Sequence, residues 1–221
     1  YISTTNQITA LKSAKIVVPK QQTHGMMMRK TKCVATGVGD TVNIFILDAD
    51  PHTAARYQCV QHIVKMPTET VQMLVSALLS NGCPPEKMPL AKTTGQPHRG
   101  GYPHHPCTVW ASESYDNMMW LWEHGLSLCD EFRFRYNKEH AAEVQLQVLG
   151  NINWMEYLPL RPQTPFARAL NQSVGRNLDL LDATVYDSVE AYRKFYVREK
   201  AGFATWNKGR ATPTWWKEMI S

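Results

Sequence analysis

The run QHIVKMPTETVQ, residues 61–72, places four chemically capable side chains on one stripe. At a helical period His62, Lys65, Glu69 and Gln72 fall at i, i+3, i+7 and i+10, flanked by the apolar Ile63, Val64, Val71, Met73 and Leu74. A base, an amine, a carboxylate and an amide are costly to bury unless they pair or take part in a reaction, so the stripe is a candidate site. The same spacing also describes a solvated helix face with ordinary i, i+4 neighbours.

Three further clusters compete for attention. His98, His104, His105 and Cys107 lie in a Pro/Gly/His-rich stretch, 83–106. Zinc wants four ligands in paired short spacings, and HHPC is too compressed for that without Cys83 and His98, so His104 and His105 are read as lining a cleft and fixing the start of the next helix. Around Trp110, the sequence WASESYDN sets Ser114 or Glu113 one helical turn from Asn117, with no histidine near enough in sequence to activate a serine. Trp110 and Asn117 are taken as pocket-lining candidates, against the plainer reading that the tryptophans pack in a core. The C-terminal stretch 192–217 interleaves Arg193, Lys194, Arg198, Lys200, Lys208, Arg210 and Lys217 with Tyr192, Phe195, Tyr196, Trp206, Trp215 and Trp216. Cations for phosphates and rings for bases are what a nucleic-acid surface needs, and FRFRYNK adds Arg133, Arg135 and Lys138. The competing reading is a helix with an aromatic core face and a wet basic face.

These groups need helices to hold them. Asn43 to Leu47 reads as a short buried strand or extended lead-in, and Asp50-Pro51 as an N-cap with proline at the first helical position. The pattern is helical from Pro51 to about Met66, with Pro67 expected to kink it or start a second helix to Leu79. A long ordered loop follows, then a helical block from Thr108 through Tyr136 with Gly125 as its weak point, a helix from Lys138 to Leu149, an irregular proline-rich region to residue 186, and a helix capped by Asp187 running to about Phe203. Five or six helices with almost no strand make this an all-α protein: a single compact multi-helix domain from residue 43 to 221 behind an extended N-terminal tail.

The net charge of +5 resides in that tail, since residues 1–42 hold six Lys or Arg and one acid while the remainder is neutral. Attraction to nucleic acid in the folded part must therefore come from local clustering. No run approaches the roughly 18 apolar residues of a membrane span, and an apolar leader is missing, so a cytoplasmic location without membrane contact is expected. Five widely spaced cysteines with no CxxC pair indicate neither a disulfide framework nor a zinc ribbon.

The motifs NIFILDADP, AARYQCVQHIVKMPTETVQML, HPCTVWASES, LCDEFRFRYNKEH and DSVEAYRKFYVREKAGFATW resemble, over residues 43–216, a family of small phage and environmental proteins that open with Met-Asn-Ile-Phe. More distantly, the order of motifs is similar to the pyrimidine-dimer DNA glycosylase/AP lyases of the endonuclease V type. That resemblance implies a chain-terminal α-amine that attacks C1′ of a damaged nucleotide in duplex DNA, assisted by a helix glutamate, with no metal or cofactor. Glu69 takes the place of that glutamate and His62 that of the helix histidine. Thr68 and Gln72 stand where the family has phosphate-gripping arginines. An amine nucleophile requires a chain that starts near Asn43, so the first 42 residues are read as lying upstream of a start at Val42; their removal, or use of Lys65 instead, are the alternatives. The expected function is a DNA glycosylase with AP-lyase activity, host-cytoplasmic if phage-encoded. A non-catalytic nucleic-acid-binding protein and a base- or nucleotide-modifying enzyme are the other readings.

Overall fold

In the computed structural model, residues 42–170 and 175–221 are described; the expected tail, 1–41, lies outside them. The chain enters through a non-helical lead-in, Val42 to Leu47, buried throughout, and Asp50 then caps α1 (Pro51–Tyr57) by accepting a hydrogen bond from Thr53 N–H. Two extended residues, Gln58 and Cys59, separate α1 from α2 (Val60–Ser80). The sequence predicts a break at Pro67, but the helix runs through that buried proline and breaks nine residues earlier. The reason is tertiary: Cys59 N–H donates to Tyr196 Oη (3.0 Å) and Val60 N–H to Thr205 O (2.8 Å), so the start of α2 finds its partners on the far end of the chain.

The helical block expected from Thr108 is two helices, α3 (Pro106–Glu113) and α4 (Tyr115–Tyr136). Ser114 turns extended between them and caps α4 through Asn117 N–H, while Tyr115 N–H donates to Pro159 O. Gly125 does not weaken α4. It is where α2 crosses closely, for a Cβ there would stand 2.6 Å from Thr70 Cγ2. Asn137, at φ 51°, closes α4, so the next helix, α5 (Glu143–Gly150), starts later than Lys138. After the irregular region come α6 (Ser188–Lys200), ending three residues short of Phe203, and α7 (Thr214–Ile220), which periodicity over so short a stretch did not announce.

Among the described residues there are seven α-helices, no strand, and one isolated bridge between Leu90 and Pro97. The described residues fall in one compact unit, packed chiefly as α1 and α2 on α4 and α2 on α3. The C-terminal rings belong to its core: Tyr192 and Tyr196 are fully buried and Trp206, Trp215 and Trp216 nearly so. No helix among the described residues is long and apolar enough to cross a membrane.

Candidate active site

Asn43 is clamped before anything is asked of it. Its side-chain Oδ1 accepts from the N–H groups of Ile44 (2.8 Å) and Phe45 (3.0 Å), and its Nδ2 donates to Ala169 O (2.7 Å). This local turn holds Phe45 at φ 43°, a left-handed conformation that an aromatic residue adopts only when its surroundings impose it. The constraint directs the Asn43 nitrogen at α2, where its N–H donates to Glu69 Oε2 at 3.1 Å. The other oxygen, Oε1, lies 3.1 Å from Lys65 Nζ, one helical turn earlier. One carboxylate, mostly buried, thus faces two nitrogens from different parts of the chain.

His62 underlies this cluster. Its ring stacks flat on Phe45, with centroids 4.4 Å apart and planes 10° apart, while Tyr196 and Phe203 meet it edge-on. Tyr196 Oη accepts from Cys59 N–H, leaving its own proton to donate to His62 Nδ1 at 2.7 Å. Burial, with Lys200 and Lys65 adding smaller effects, pushes the His62 imidazole down to about 3. It is a neutral ring at physiological pH, built to hold Phe45 in place. Lys200 Nζ lies 5.7 Å from the Phe45 and Phe195 rings and 5.9 Å from Phe203.

Helix α6 supplies the remaining supports. Arg193 Nε donates to Leu47 O (2.8 Å) and its guanidinium reaches Asp48 while lying over Tyr57 and Trp215. Tyr192 Oη accepts from Ala169 N–H and donates to Ala167 O, fixing the stretch whose carbonyl holds Asn43. Cys107 Sγ, 4.0 Å from that hydroxyl, is pushed up to about 12 by burial and stays a thiol. The sequence left Tyr192, Phe195 and Tyr196 between stacking on bases and forming a core face; the structure takes the core face, which their i, i+3, i+4 spacing signals.

The other expected site residues are scattered. His105 caps α3, its Nδ1 accepting from Cys107 N–H, and burial lowers it to about 4; His104 is exposed. Trp110 is buried against Trp120 and Phe166. Asn117, fully buried, uses both amide hydrogens on Trp110 O and Thr164 Oγ1 and accepts from Thr164 N–H, so it fastens the irregular region and lines no opening. Arg135 has no exposed side-chain surface. It pairs with Glu131 and donates to Gln58 O and Arg56 O, which explains why it follows the basic pattern without facing solvent. Arg133 is held by Asp130 and Glu143, Arg198 by both oxygens of Asp179, and Lys194 by Glu190. Two surface depressions, of about 170 Å³ beside Trp122 and about 300 Å³ beside His52 and Arg210, include none of the Glu69 cluster. No group of three or more His, Cys, Asp or Glu among the described residues is placed to hold a metal ion.

The region from the clamped Asn43 through the Glu69 helix can be compared with known families. Residues 42–144 match the family model for pyrimidine dimer DNA glycosylase. The chain is thus distantly similar to that family. No curated protein and no solved structure matches. The glycosylase-like span is just under half of the chain and includes Asn43, His62, Lys65 and Glu69; α6, whose Tyr196 bonds His62, lies beyond it.

Proposed function

We propose that the protein is a DNA glycosylase with lyase activity on damaged or modified bases, acting through an amine assisted by Glu69. The family match supports a glycosylase-type function and DNA as the partner. The observation behind the finer reading is the placement of two nitrogens, Asn43 N and Lys65 Nζ, each 3.1 Å from an oxygen of Glu69. An amide nitrogen cannot attack, because its lone pair is delocalised into the carbonyl. In this reading the active chain therefore begins at Asn43, whose nitrogen becomes an α-amine without having to move.

The amine bonds to C1′ of a nucleotide flipped out of the duplex as the C1′–base bond breaks, and the departing base takes a proton from water. Glu69 accepts a proton from the attacking nitrogen and returns it to the ring oxygen as the sugar opens to an imine. Glu69, a carboxylate again, takes a C2′ proton as the 3′ phosphate leaves, and water hydrolyses the imine to restore the amine. Lys65 is the alternative nitrogen. His62 takes no proton in this scheme; it holds Phe45 and through it Asn43. A purely binding role for the C-terminal cations has less support, since Arg193, Lys194 and Arg198 are engaged within the protein.

Borohydride trapping on duplex DNA with an abasic site or a pyrimidine dimer tests this. The expected result is a covalent adduct on a chain whose intact mass begins at Asn43, lost in Glu69→Gln and retained in Lys65→Met. An adduct at Lys65 reassigns the nucleophile, and no adduct with any chain ends the lyase reading.

A further inference from the structure

The loop between α2 and α3 turns back onto α2 at Gln72 and Ser76, one and two turns beyond Glu69. Gly101 N–H donates to Gln72 O (3.3 Å) and Ser76 Oγ (2.8 Å), and the Ser76 hydroxyl donates back to Gly101 O (2.9 Å). Gln72 is one turn beyond Glu69 on the same stripe, so the loop is fastened to α2 one helical turn from the residue that bears the carboxylate. From there it runs to His105 and Cys107 at the start of α3. The seat is tight: Gly100 has φ 74°, and a Cβ on it would stand 2.2 Å from Ser76 Oγ. His98 Nδ1 accepts from Gly100 N–H, and His105 N–H donates to Tyr102 O.

This clamped turn pushes one ring outward. Tyr102 sits at φ 55° and is 48 % exposed, and among the described residues neither a ring contact nor a hydrogen bond holds its side chain. A left-handed backbone at a residue with a Cβ is unfavourable, and here it presents an aromatic ring to solvent and not to the core. Its neighbours in sequence carry no acid: residues 88–106 contain Lys92, Arg99 and three histidines. Arg99 and His104, three residues before it and two after, are exposed as well. An exposed aromatic ring in a segment that carries basic side chains and no acid of its own suits a polyanion with stackable bases.

We infer that Tyr102 is a base-stacking wedge: its ring fills the gap left in the duplex when a nucleotide is turned toward Glu69, and Arg99 takes a flanking phosphate. This rests on the glycosylase reading above and adds to it the residue that recognises an unstacked site.

Binding of the whole chain to duplex DNA carrying a tetrahydrofuran abasic analogue, which cannot form an imine, separates recognition from chemistry. Tyr102→Ala should weaken that affinity roughly tenfold or more, leave affinity for undamaged duplex within about twofold, and leave the melting temperature unchanged. Tyr102→Trp should retain the wild-type preference. A 2-aminopurine beside the analogue should brighten with wild type and not with Tyr102→Ala. Arg99→Ala should reduce the slope of log K against log salt by about one. Wild type that prefers the analogue with Tyr102→Ala equal to it overturns the wedge alone. Wild type that does not distinguish the two duplexes overturns the glycosylase reading and the wedge with it.

Discussion

A histidine kept neutral inside a protein makes stability depend on pH with a slope that can be counted. His62 and His124 are 3 % and 0 % exposed, and burial pushes both imidazoles down to about 3. In the unfolded chain each returns to about 6.5. The folded-state value lies below the unfolded one, so it is the unfolded chain that binds the extra protons. Stability from these groups is therefore complete above about pH 6.5 and is lost as pH falls from there toward 3. Between roughly pH 4 and 6 each contributes a slope of about 1.4 kcal/mol per pH unit, and the pair about 2.7. His62→Phe removes one of the two sites while keeping a ring against Phe45. Its acid slope should fall by about 1.4 kcal/mol per pH unit. At pH 7 the variant should be weaker by about 1–3 kcal/mol, because the Tyr196 hydroxyl loses its acceptor. Urea unfolding at several pH values between 4 and 6, and at pH 7, with an unchanged m-value, reads both quantities. A variant that follows the wild-type slope would show that His62 titrates normally in the folded protein and refute its assignment as a neutral platform. On abasic DNA the same variant should still form a borohydride adduct, whereas an acid–base histidine could not be replaced by a phenyl ring.

Other perturbations probe the supports around Glu69. Tyr196→Phe leaves the Cys59 N–H and His62 Nδ1 unsatisfied in the core and should cost about 2–4 kcal/mol, seen as a lower urea midpoint; a loss under about 0.5 kcal/mol would contradict the linkage. Gly125→Ala should destabilise by about 1–3 kcal/mol because its methyl meets Thr70 at the α2–α4 crossing, and combining it with Thr70→Ser should recover part of that loss. Arg135→Met strands buried Glu131, which Arg210 still contacts, and should cost about 3 kcal/mol in the same assay, with salt affecting it little; a neutral outcome would place Arg135 among surface cations.

The residues differ in how far they can be read without coordinates. Asp50-Pro51 and Asp187-Ser188 marked helix starts correctly, because capping is a local competition for backbone N–H groups within four residues. The stripe of Lys65 and Glu69 was visible for the same reason: i, i+4 neighbours on a helix meet whatever the fold. The α1–α2 break was not visible. Pro67 was the local signal, yet Tyr196 and Thr205, well over a hundred residues away, decided where the helix begins by accepting the N–H groups of Cys59 and Val60. The basic-aromatic C-terminus misled in a related way. A cation and a ring have the same spacing whether they face solvent or brace a core, and only the positions of Leu47 O, Asp48 and Asp179 reveal that Arg193 and Arg198 are engaged internally.

By itself the sequence determined the all-helical class, the main caps, and the amine–carboxylate pair on α2, all products of short-range geometry. Tertiary structure alone decided that the Asn43 nitrogen meets Glu69, that His62 is a neutral support, and that Tyr102 is left exposed on a loop pinned to α2. Each of these depends on contacts between segments far apart in the chain, where burial and hydrogen-bond partners are set by packing and leave no periodicity in the sequence to read.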